Sequence, residues 1–257
     1  MPETVHHQDL LTPATSVVTD CSAIWFPHAG GLSVSAARLA HECEDVCSFH
    51  VVNYPWRMED PPPGSELQSS PESCAADIAA VIERRLPPRV VLYGHSMGAI
   101  IAWLVARHLQ ESQRSRIELL ILSGSPPWPA VRDVPYRAWS DEELRTHLVG
   151  LDPDLALPHG LALLDDTITA LVRKDFSAYD RFTLPSDVRL SCPCLVLGGD
   201  RDPVVPVRNL IHWCRFTPAA TRFRIAPGGH FFNRAGVLTV ATAIREALGP
   251  SRPGETV

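Results

Sequence analysis

The sequence predicts an α/β fold with a mostly parallel central sheet flanked by helices. Two observations carry the prediction. Short apolar runs of strand length alternate with helical segments along the chain, the pattern of a parallel sheet covered on both faces. Between two of those runs, the stretch from Pro126 to Pro185 offers no strand and holds only helix-like apolar pieces. An insertion that long is expected above the carboxyl edge of the sheet, where ligands of α/β domains bind, and it reads as a helical lid.

Met1 to about Thr19 reads as a polar, loosely held lead-in. Ala23-Ile24-Trp25-Phe26 reads as a buried strand ended by Pro27, and Leu32 to about Glu42 as a helix. Phe49 to Tyr54 is a second strand, stopped by Pro55, and Pro61-Pro62-Pro63-Gly64 is a loop. The next helix has a marked start: Ser70 can cap it, Pro71 suits its first turn and Glu72 complements its dipole. Ala75, Ile78, Ala79 and Ile82 fall on one of its faces, and Pro87-Pro88 breaks it. Val90 to Tyr93 is a third strand, Ala99 to about Leu109 a buried helix and Ile117 to Leu122 a fourth strand. The lid pieces are Leu144 to Leu148, Leu161 to Val172 and Phe176 to Phe182. Cys194 to Leu197 and Phe223 to Ile225 are the last strands, and Gly236 to Leu248 is a closing helix. The tail Pro250-Ser251-Arg252-Pro253-Gly254 reads as disordered.

The 257 residues suit one domain, with residues 126–185 as the lid within it. Lys and Arg number 23 against 29 Asp and Glu, a net charge of −6 without a concentrated basic face. That argues against a nucleic-acid partner. Arg84, Arg85 and Arg89 read as a solvated group complementing a helix end. No apolar run approaches membrane-spanning length. The start lacks a basic segment followed by an apolar one, so a cytoplasmic location is expected. Seven cysteines include the close pairs Cys43/Cys47 and Cys192/Cys194, neither with zinc-site spacing, so buried free thiols are expected.

Gly94-His95-Ser96-Met97-Gly98 lies between the third strand and a helix. This is the G-x-S-x-G nucleophile elbow of the α/β-hydrolase fold in its required context. The glycines make room for a sharp turn that holds Ser96 at the sheet edge. Serine needs a base. His230 follows the last strand in Pro227-Gly228-Gly229-His230-Phe231-Phe232, and serine, acid, histidine is the chain order of this fold. His95 is expected to point elsewhere, and His28 comes too early. The acid should follow the penultimate strand, where Gly198-Gly199-Asp200-Arg201-Asp202-Pro203 offers two carboxylates that spacing does not separate. The first strand runs into Pro27-His28-Ala29-Gly30-Gly31, an early glycine loop of the kind that supplies an oxyanion donor. The candidate pair is the backbone N–H groups of Ala29 and Met97.

Together these segments resemble the type II thioesterases, the editing enzymes of polyketide and nonribosomal peptide assembly lines. The matching pieces are Pro27 to Gly31, Tyr54-Pro55 with Arg57, Gly94 to Ala99, Gly198-Gly199-Asp200 with Asp202-Pro203, and Gly229 to Phe232. Leu171 to Phe176 with Tyr179 looks like the family's lid. The likeness runs from about Ala23 to Leu248. One departure is Trp56, which stands where the family usually has glycine. The resemblance implies that Ser96 is the nucleophile, Asp202 the acid and His230 the base, with Ala29 and Met97 as oxyanion donors. It implies hydrolysis of acyl or aminoacyl groups from the phosphopantetheine arm of acyl or peptidyl carrier proteins, met transiently, with no cofactor and no metal. The alternatives on the same fold are a small-ester or acyl-coenzyme A hydrolase, and an acyltransferase or cyclase. A catalytically dead carrier-binding protein is the non-enzyme alternative.

Overall fold

Strands form where apolar residues alternate between two buried faces. The computed structural model describes residues 10–57, 70–127, 135–151, 165–180, 182, 184–185, 187–218, 220–231 and 233–249. Its strands are β1 (Leu11–Pro13), β2 (Cys21–Phe26), β3 (Ser48–Val52), β4 (Arg89–His95), β5 (Arg116–Ser123), β6 (Cys194–Gly199) and β7 (Arg222–Ala226). They make one sheet in the order β1-β3-β2-β4-β5-β6-β7. β1 runs antiparallel to β3, and every other neighbouring pair is parallel. The mostly parallel α/β fold expected from the sequence is therefore present.

The helices are α1 (Ala37–Cys43), α2 (Pro71–Arg85), α3 (Met97–Ser112), α4 (Asp141–Leu151), α5 (Asp166–Tyr179), the single turn α6 (Val207–Leu210) and α7 (Asn233–Leu248). Strand side chains divide between two cores. Ile24, Phe26, Leu92, Leu120, Leu122 and Val196 join α2 and α3 on one face. Trp25, Val91, Leu119, Ile121, Leu195 and Leu197 meet α1 and α7 on the other. Burial on both faces explains why these strands read as continuous apolar runs. α2 begins as its sequence demands, with Ser70 Oγ accepting the Ser73 N–H at 3.2 Å and Pro71 at the first position.

Four expectations are corrected. The lead-in is not loose throughout: Leu10 and Leu11 are buried, and β1 extends the sheet past β3. Two leucines among polar residues are too short a signal to read as a strand, yet they suffice to cover the end of β3. Arg89 is not part of a helix end; it opens β4 and pairs with Glu118 at 2.8 Å and Asp20 at 2.9 Å. Where the sequence suggested two lid pieces, residues 166–172 and 176–179 on either side of Arg173-Lys174 belong to one helix, α5. All seven cysteines are free, but Cys214 is exposed and Cys192 only partly buried. Leu161, Leu164, the Pro61–Gly64 loop and the Pro250–Gly254 tail lie outside the described residues.

Between β5 and β6 the described parts of the insertion supply α4 and α5. Tyr136, Leu144, Leu148, Leu151, Val172 and Phe176 bury their side chains against the main core. The insertion is thus packed onto the domain at the carboxyl ends of the strands.

Candidate active site

The turn after β4 is shaped by what cannot fit there. A Cβ on Gly94 would collide with the Gly98 carbonyl, and one on Gly98 with the Phe26 carbonyl. Between them Ser96 adopts φ 54° and ψ −123°, a conformation rarely open to an L residue. Its N–H is fixed by Ser123 O at 2.7 Å. The side chain is left at the start of α3, where the first backbone N–H groups have no intrahelical partner.

His230, buried, arrives on the loop after β7. Its Nε2 lies 3.0 Å from Ser96 Oγ and its Nδ1 2.8 Å from Asp202 Oδ2. With Asp202 ionised, Nδ1–H donates to the carboxylate and Nε2 is free to accept from the Ser96 hydroxyl. Asp202 Oδ1 accepts the N–H groups of Val204 and Val205, each at 2.9 Å. Burial pulls this carboxyl upward, but the bond to His230, its charge and the two amides outweigh that and leave it below the usual carboxylate range. Asp200 is turned elsewhere. Its Oδ1 accepts the Gly228 N–H at 2.7 Å, joining the loop after β6 to the loop after β7. The structure therefore brings Ser96, His230 and Asp202 into one hydrogen-bonded line and leaves Asp200 outside it.

The β2 loop packs against the elbow, since Gly98 lies on the Phe26 and Pro27 carbonyls. Ala29 and Met97 are both buried, and among the described residues neither N–H has a hydrogen-bond acceptor. Backbone donors without acceptors are what a developing oxyanion requires, and Met97 follows Ser96 directly in the chain.

His95 does point away from Ser96, as expected, and its Nδ1 meets Ser123 Oγ at 2.8 Å. It is nonetheless part of the surroundings. The ring centres of His95 and Phe231 lie 5.3 and 5.0 Å from that of His230, and His28 is 4.7 Å from Phe231. Burial first, then His230, pushes His28 down to about 3 and holds His95 well below the ordinary histidine value. Both stay neutral at neutral pH, so neither opposes a positive charge forming on His230. The sequence signals for this collar, with His28 after β2, His95 at the end of β4, and His230 and Phe231 after β7, are too scattered to read as a unit.

Above Ser96 is a cavity of about 100 Å³. Tyr136, His147, Leu151, Phe176 and Tyr179 of the insertion line one side of it. Tyr136 and Phe176 are stacked, with ring centres 4.0 Å apart. Among the described residues, no three His, Cys, Asp or Glu side chains are grouped to hold a metal, and no helix is long and apolar enough to cross a membrane.

The family profile described as "Thioesterase domain" matches residues 23–248. The thioesterase PikA5 of Streptomyces venezuelae is 31% identical over 218 residues, covering 81% of this chain and 74% of that protein. The gramicidin S biosynthesis protein GrsT of Aneurinibacillus migulanus is 28% identical over 214 residues, covering 80% of each. Among solved structures, the type II thioesterase BorB from the borrelidin biosynthetic cluster superposes with a TM-score of 0.78 at 26% identity, over 96% of this chain and all of that one.

Proposed function

The chain belongs to the thioesterase-domain family, and from that premise we propose that it hydrolyses acyl or aminoacyl thioesters on the phosphopantetheine arm of carrier proteins in polyketide or nonribosomal peptide assembly. Ser96 is the nucleophile, His230 the general base and Asp202 the acid that orients it. The single observation that carries this reading is the hydrogen-bonded line from Ser96 through His230 to Asp202, which opens at Ser96 and His230 onto the cleft.

In the first step Ser96 Oγ attacks the thioester carbonyl while His230 Nε2 takes its proton. The oxyanion accepts hydrogen bonds from the Ala29 and Met97 N–H groups. As the tetrahedral adduct collapses, the carbon–sulfur bond breaks and the imidazolium returns the proton to the leaving thiol. Water, deprotonated by the same imidazole, attacks the acyl-enzyme, and Ser96 leaves with the proton. Asp202 keeps Nδ1 protonated and compensates the transient charge. No cofactor takes part. The carrier is a transient partner and the setting is cytoplasmic.

The test is steady-state hydrolysis of one acyl group presented on a carrier protein, on coenzyme A and on an oxygen ester. The carrier thioester is expected to have the highest kcat/KM. Equal or better turnover of the coenzyme A ester would argue for a general acyl-thioester hydrolase, and preference for the oxygen ester would contradict the thioesterase reading. An ester or amide product in place of free acid would mark a transferase or cyclase.

A further inference from the structure

Helix α5 does more than line the cleft. It also reaches the turn after β2, and one buried carboxylate makes the joint. Asp175 is fully buried, and its hydrogen-bond partners are donors from outside the insertion. Oδ2 accepts the Gly30 N–H at 2.7 Å and Arg57 Nη2 at 2.7 Å. Oδ1 accepts Trp56 Nε1 at 2.8 Å and Arg57 Nε at 2.9 Å. One turn earlier on the same helix, Val172 rests on Gly30, where φ is +77° and a Cβ would stand 2.6 Å from Val172 Cγ2.

The rest of the turn is held as closely. Tyr54 Oη donates to the Pro27 carbonyl at 2.8 Å, and Arg57 Nη1 donates to the Gly31 carbonyl at 2.7 Å. Trp56 stacks on Tyr54, with ring centres 4.8 Å apart. Inside this frame the Ala29 N–H has no acceptor among the described residues. The Gly30 N–H that Asp175 holds belongs to the peptide joining Ala29 to Gly30.

We infer that Asp175 is a positioning residue for the oxyanion site: from the insertion it holds the Gly30 N–H on one side of Ala29 and, on the other, fixes Arg57, whose Nη2 also donates at 3.3 Å to the His28 carbonyl of the peptide that carries the Ala29 N–H. The inference rests on the assignment of Ala29 as an oxyanion donor. The hydrolytic centre is complete only while α5 is seated, because unseating it would strip a buried carboxylate of all four bonds. Trp56 has a definite part here. Its indole supplies one of the four donors, which a glycine at that position could not.

All four partners donate, so an asparagine at 175 must turn its NH₂ toward donors on one side or the other. Asp175→Asn is therefore expected to lower kcat about 10- to 100-fold, less than or comparable to outright loss of one oxyanion donor. KM for a short acyl thioester should change little. Affinity for an alkyl boronic acid, which forms a tetrahedral adduct on serine, should fall in parallel with kcat. Binding of a non-hydrolysable thioether analogue should stay as in wild type. A tether without a positioning role would instead alter stability or KM and leave boronate affinity untouched, which would overturn the inference.

If Asp175→Asn does not fold, Trp56→Phe decides, since it keeps the stack on Tyr54 and removes one bond. A parallel drop in kcat and boronate affinity of about threefold or more, a fraction of the full donor effect, supports the inference. Unchanged values for both overturn it. An active wild-type enzyme with unaffected variants would remove this inference alone. A wild-type enzyme no faster than Ser96→Ala would remove the functional reading and this inference with it.

Discussion

Asp202 Oδ2 stands 2.8 Å from His230 Nδ1, and the other oxygen of the same carboxylate is held by two backbone amides. This carboxylate can therefore neither rotate away nor release the imidazole without losing several bonds. Asp202→Asn is expected to lower kcat by about 10³- to 10⁴-fold, because the amide no longer secures the Nδ1–H tautomer. Asp200→Asn, which weakens the bond to Gly228 and the 3.4 Å pair with Arg201, should cost less than about tenfold, as expected of a residue outside the hydrogen-bonded line to Ser96. Kinetics of the two variants side by side check the ranking; the reverse order would move the acid to Asp200.

Acid should destabilise the fold well before carboxylates protonate. Imidazoles of the unfolded chain gain a proton near pH 6.5, whereas folded His28 does so only at about 3 and His95 also far below its ordinary value. Between those limits the unfolded state binds more protons, so stability present above pH 6.5 is lost as pH falls. Each such imidazole contributes a slope of about 1.4 kcal/mol per pH unit. Denaturant unfolding from pH 7.5 to 4.5 should show this decline, and His28→Gln should flatten it. A level profile over that range would contradict the neutral collar.

The insertion should set which acyl groups fit. Phe176→Ala removes a ring stacked on Tyr136 at the wall of the cleft. It is expected to raise kcat/KM for longer chains relative to short ones, and to cost about 3–5 kcal/mol of stability as a buried phenylalanine. Leu151→Phe should shift preference the other way while sparing the shortest acyl groups. An unchanged ranking in both variants would place the acyl pocket elsewhere.

Encounter with a carrier should gain little from long-range attraction. The chain is net −6, and carrier proteins are generally acidic, so two like-charged bodies meet through local patches and the arm entering the cleft. A high KM for carrier substrates and a shallow dependence on salt between low and moderate ionic strength are expected. A steep loss of kcat/KM with added salt would show strong complementary charge at the contact.

What the sequence made legible was local. The elbow could be read because Gly94 and Gly98 are sterically required within five residues. The strands could be read because burial on both faces leaves unbroken apolar runs. Spacing alone could not choose between Asp200 and Asp202, since both sit in one turn and their orientations depend on β7 and its loop; it was the family resemblance that pointed to Asp202. β1 rests on Leu10 and Leu11 alone. The clamp at Asp175 joins positions up to 145 residues apart, and within α5 that aspartate looks like any polar residue beside Arg173 and Lys174. Only the tertiary contacts reveal that its face is turned inward.

The most direct measurement is loss of an acyl group from an acylated carrier protein, followed by intact mass, with wild-type enzyme and with Ser96→Ala. Wild type is expected to return the free phosphopantetheine thiol and release free acid. Ser96→Ala should be slower by several orders of magnitude while folding normally. Near wild-type release by Ser96→Ala would contradict the account.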